Sequence, residues 1–140
     1  MKTSSLFYGM FLAVVVIAVL LLIFGVNFNN GAKSAAYRPD AEVRITGVVT
    51  DVDDFACPVS SGEMGAHLRL KTEYGLVVVH LAPSRVMRSQ SFRFQRGDKL
   101  EVNGSTVRLF GESGVIAREI TRGNDVFTLR DAQGKLLLVQ

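Results

Sequence analysis

The chain has 140 residues, enough for one domain with one sizeable core, and 48% of them are hydrophobic. Sixteen Lys and Arg stand against thirteen Asp and Glu; with Lys2 and Lys33 set aside, residues 38–140 carry a net charge of only +1, which excludes a domain that coats itself non-specifically in nucleic acid. The single cysteine, Cys57, excludes an internal disulfide, a CxxC redox pair, a four-thiolate zinc site and a CxxCH haem attachment.

The apolar excess is concentrated in Leu6 to Val26, 21 residues without a charge. At 1.5 Å per residue a helix of that length covers the ~30 Å hydrocarbon core. The run is therefore predicted to be a transmembrane signal anchor after a short tail, residues 1–5. A cleaved signal peptide is the rival, with Lys2 as n-region and Ser34-Ala35-Ala36 as cleavage site. Against it, the run exceeds the usual apolar h-region of about 7 to 15 residues. The flanking charges, Lys2 on one side and Lys33, Arg38 and Arg44 on the other, do not decide orientation. A short tail before a signal-like span places the domain outside the cytoplasm, on a bacterial inner membrane. Residues 27–41, rich in Asn, Ala and Gly, read as a flexible linker.

From Glu42 the hydrophobic period is two, with Gly, Asn and Asp punctuating every eight to twelve residues. The predicted strands are Val43 to Val52, Ala66 to Thr72, Leu76 to Ala82, Lys99 to Phe110 and Val115 to Thr121. A last hairpin follows, Val126 to Arg130 with Lys135 to Val139. Pro83 to Ser91 lacks β punctuation and opens with proline, so a short helix is expected there. Three strands, a helix and two strands is the order of the OB-fold, a five-stranded Greek-key barrel. The expected fold is thus all-β: an OB-like barrel over residues 42–140, with one helix and an added hairpin.

Two stretches carry a resemblance. Ile45-Thr46-Gly47-Val48-Val49 and Phe94 to Gly104 look like small bacterial OB-fold domains. More narrowly, His67 to Thr72, Val79 to Pro83, Ala117 to Ile120 and Thr128 to Asp131 are similar to bacterial envelope domains of the magnetosome-associated MamS/MamX type. That resemblance implies membrane association more than a reaction, and with no haem-attachment motif in this chain it implies no redox role.

Strand alternation points Leu68 and Leu70 to the core and turns His67, Arg69 and Lys71 to the other face; Val77, Val79 and Leu81 likewise turn His80 outward. If Thr72 pairs with Gly75, His67 lies directly opposite His80, with Cβ atoms about 4.5 to 5.5 Å apart. Two imidazoles at that distance can share a metal, with Cys57 as a soft third ligand and Glu63 as a harder one, a set suited to copper or zinc. If Gly75 instead forms a bulge, His80 faces Leu68 and only packs. Both registers are open at this point.

Arg85, Arg88, Arg93, Arg96 and Lys99, interleaved with Phe92 and Phe94, form a local basic patch. It could meet anionic lipid, an acidic partner protein or a nucleic acid; the plain alternative is a solvated helix face with two phenylalanines closing the barrel end. Strands two and three hold no aromatic side chain for base stacking, which disfavours nucleic acid. Asp51, Asp53 and Asp54 fit no calcium loop, and Ser60-Ser61-Gly62-Glu63 lacks the strand-turn-helix setting of a nucleophile. The expectation is a non-enzymatic, membrane-tethered binding domain that captures an acidic ligand or envelope protein through His67, Arg69, Lys71 and His80. The alternatives are a copper or zinc accessory protein and an envelope scaffold. The apolar run Leu136 to Val139 leaves open a homo-oligomer through the last strand.

Overall fold

The computed structural model describes residues 35–138. The expected tail, membrane span and first part of the linker lie outside them, as do Val139 and Gln140. Among the described residues no helix is long and apolar enough to cross a membrane.

Among the described residues six strands are formed: β1 (Glu42–Ala56), β2 (Met64–Thr72), β3 (Gly75–Pro83), β4 (Lys99–Leu109), β5 (Glu112–Arg122) and β6 (Asp125–Thr128). One short helix, α1 (Ser84–Ser89), lies between β3 and β4. The sheet order is β3-β2-β1-β4-β5-β6, with every neighbouring pair antiparallel. In addition β3 pairs in parallel with β5, setting Val78 to His80 beside Gly114 to Ile116. The sheet therefore bends back on itself, which gives the alternating apolar side chains one interior to share.

That interior takes every second residue, as period two requires. Leu68 and Leu70 of β2, Val79 and Leu81 of β3, Leu100 and Val102 of β4 and Ile120 of β5 are all essentially solvent-free. Val86 and Met87 of α1 and Phe94 join them, so the helix closes one end of the core. Each fully buried Leu or Val contributes about 1.5–3 kcal/mol relative to an exposed position.

Three local differences from expectation have physical reasons. First, β1 runs to Ala56 rather than stopping at Val52, because Asp53 and Asp54 sit opposite His67 and Ala66 and direct their carboxylates to arginines instead of breaking the ladder. A bulge between Val49 and Asp51 lets this long strand bend from β4 to β2. Second, α1 is shorter than Pro83 to Ser91. Pro83 precedes it in an extended conformation, and the Arg93 guanidinium donates to the carbonyls of Met87, Arg88, Gln90 and Phe92, occupying the end of the helix. Third, among the described residues the closing hairpin has no second strand. Asp131 Oδ1 accepts from the backbone N–H of Gln133 and Lys135, turning the chain, and among the described residues a single bridge, Arg130 to Leu136, remains. Leu136 and Leu138 pack against the core instead of forming an exposed edge.

Candidate metal centre

The β2–β3 hairpin sets the first two donors. Thr72 stands opposite Gly75, and Thr72 Oγ1 accepts from Tyr74 N–H and donates to the Gly75 carbonyl, locking a tight turn. Gly75 adopts φ +115°, a conformation that L side chains rarely enter. From that turn the register runs unbroken to His67 opposite His80; the ladder slips one residue later, where Ala66 faces Ala82. The bulge thus exists, but beyond the histidines rather than before them.

The third donor comes from the loop after β1. The N–H of Cys57 donates to Glu63 O, while the N–H groups of Ser60 and Gly62 donate to Cys57 O, closing a compact turn that folds the thiol inward. Cys57 Sγ lies 3.7 Å from His80 Nδ1, and His80 Nδ1 lies 3.1 Å from His67 Nε2. All three donor atoms fall within 4.8 Å of one another, and all three residues are buried.

Burial is the main correction to the outward-facing site. His67 and His80 do not present themselves to solvent: their exposures are 0% and 1%. The extension of β1 lays Phe55 flat on the His67 ring, with centroids 3.7 Å apart and planes 7° apart. Cys57, Val78 and Leu109 then form a small second apolar cluster, with Phe55, Val59 and Val107 packed against it. On the remaining side Gly65 supplies only backbone. A Cβ there would stand 2.8 Å from His80 Cε1 and 2.9 Å from His67 Cε1, so glycine is what lets both rings share the space.

This environment keeps the donors uncharged. Burial pushes the His80 pKa down to about 3, with the nearby Arg130 charge adding to the effect. Burial likewise takes His67 down to about 4, opposed by the Gly65 backbone and by Asp54 and Asp53. The Gly65 carbonyl is near enough to favour a charged ring, yet among the described residues His67 Nδ1 has no hydrogen-bond partner in good geometry. Burial raises the Cys57 thiol above its ordinary value. The set is two neutral imidazoles and a protonated thiol.

The other sequence candidates fall elsewhere. The Glu63 carboxylate lies 3.6 Å from Arg85 and is not one of the clustered donors. Arg69, on the same face as the histidines, pairs with Asp53 at 3.3 Å. Lys71 is exposed farther along β2. The supposed free basic patch is largely paired: Arg85 with Glu63, Arg88 with Asp54 at 3.6 Å, and Arg96 with Asp51 at 2.6 Å, while Arg93 holds the end of α1. Lys99 is an exposed residue opposite Val48. Asp51 and Asp54 of β1 are therefore counter-ions to the patch, while Asp53 is that of Arg69. Sequence reasoning missed Phe55 and Gly65, both read as loop, and Arg130, read as the end of a hairpin strand. The one available signal was Gly65 itself, a glycine two residues before a histidine at a strand start.

The MamS/MamX magnetosome protein family model matches residues 41–127, more than half of the chain. The chain belongs to the MamS/MamX magnetosome protein family. The MamS/MamX match contains Cys57, Gly65, His67 and His80, and all of β1 to β5. A comparison with curated proteins finds none that matches.

Proposed function

We propose that this member of the MamS/MamX family is a metal-binding accessory domain in which Cys57, His67 and His80 hold one copper or zinc ion, without catalysing a reaction. The convergence of three donors from a loop and two strands into one buried site carries the reading. A thiolate with two imidazoles suits both metals: zinc with a fourth position left for another ligand, or copper in a His₂Cys arrangement. Neutral histidines offer their lone pairs directly, and only Cys57 must lose a proton. Metal binding needs the facing nitrogens bare, which places the His67 proton on Nδ1, near the Gly65 carbonyl.

The same reading gives the domain an OB-like barrel, supported by the order β1-β2-β3-α1-β4-β5 and the parallel β3–β5 pairing. It places the domain on the outer side of a bacterial inner membrane, anchored through residues 6–26, beside an envelope protein partner. The test is metal analysis of the purified full chain after equilibration with zinc and, separately, copper. About one ion per chain is expected, and a loss of stoichiometric binding in His80→Gln and Cys57→Ser. Equal and negligible metal in wild type and variants ends the proposal.

A further inference from the structure

Arg130 is 5% exposed, and its charge meets no carboxylate within ion-pair distance among the described residues. Its Nη1 donates to two backbone carbonyls, Leu81 O at 2.6 Å and Ala117 O at 2.5 Å. Among the described residues Nε and Nη2 make no hydrogen bond, although they form the edge of the guanidinium that grips carboxylates and phosphates in bidentate fashion. A buried cation without a counter-ion is strongly disfavoured unless an anion completes it. Arg96, Arg118 and Arg122 show the contrast, since each reaches a carboxylate of the chain.

Arg130 lines a cavity of about 350 Å³, together with His80, Tyr37, Ser60, Ser61 and Pro83. Ser60 Oγ is buried without a hydrogen-bond partner among the described residues. Arg130 and Ser60 thus both border one small, half-open cavity, of a size that admits a small organic acid or inorganic oxyanion.

We infer that this cavity is a binding site for a small oxyanion, a carboxylate by preference, held by Nε and Nη2 of Arg130 and by the Ser60 hydroxyl. The site stands on its own residues and does not require a metal at Cys57, His67 and His80. It is tested on the full chain stripped of metal with a chelating resin, since a soluble chelator is itself a polycarboxylate. Calorimetric titration and thermal melting with acetate and with inorganic phosphate, against chloride at equal ionic strength, report binding. Wild type is expected to bind acetate and be stabilised by it, with phosphate weaker and chloride inert. Arg130→Lys, which keeps the charge but loses the fork, should weaken acetate at least about tenfold. Ser60→Ala removes a hydroxyl with no internal bond, so it leaves the fold intact and should weaken acetate several-fold. Absence of oxyanion binding by wild type overturns the proposal, as does equal binding by folded wild type and Ser60→Ala. Binding that arises only after metal is restored also overturns it, by assigning the anion to the metal.

Discussion

His67 Nε2 lies 3.1 Å from His80 Nδ1 across one rung of the β2–β3 ladder, with both rings sealed from solvent. In the metal-free protein only one of these nitrogens can carry a proton, and charging either ring means placing a cation in an apolar enclosure. Both histidines therefore stay neutral well below the pH at which an unfolded chain would protonate them.

The sign of the pH dependence follows. The unfolded histidines titrate near pH 6.5, the folded ones near 4 and 3, so between these limits the unfolded state binds more protons and acidification favours it. Stability of the metal-free protein should be fully present above about pH 6.5 and fall as the pH drops, by up to about 1.4 kcal/mol per pH unit for each histidine. Urea melts between pH 7 and 5 measure the slope. His67→Gln and His80→Gln should each flatten it, and an unchanged slope in both would contradict buried neutral histidines.

Metal uptake should release about one proton per ion near neutral pH, from the Cys57 thiol, because both imidazoles are already deprotonated. Calorimetry in buffers of different ionisation enthalpy counts that proton. Release of two or three would mean that the histidines are charged before binding.

Gly65→Ala places a methyl against His80 Cε1 and His67 Cε1 at under 3 Å, so the rings must separate. The expected cost is about 1–3 kcal/mol of stability, with at least about tenfold weaker metal binding. A variant that melts like wild type and binds metal equally well would remove Gly65 from the site.

The arginines around α1 should divide by what they touch. Arg85→Ala and Arg88→Ala each break a single exposed ion pair and should change stability by less than about 1 kcal/mol. Arg93→Ala frees four carbonyls around the helix end and should cost more, about 1–2 kcal/mol. Thermal melts of the three variants decide the order.

Alternation along the chain was enough to determine that the domain is a β-sheet structure and which side of β2 and β3 fills its core: Leu68, Leu70, Val79 and Leu81 are internal and Val77 half-buried, because period two has only two faces to offer. It also put His67 and His80 on a shared face, while leaving their register open. Tertiary structure alone decided the rest. Whether that face meets water depends on β1 carrying Phe55 and Cys57 over it, and whether Arg130 is inside depends on a turn at Asp131 that withdraws the last strand. Alternation along a strand specifies a side chain's direction; only residues distant in sequence determine what covers it.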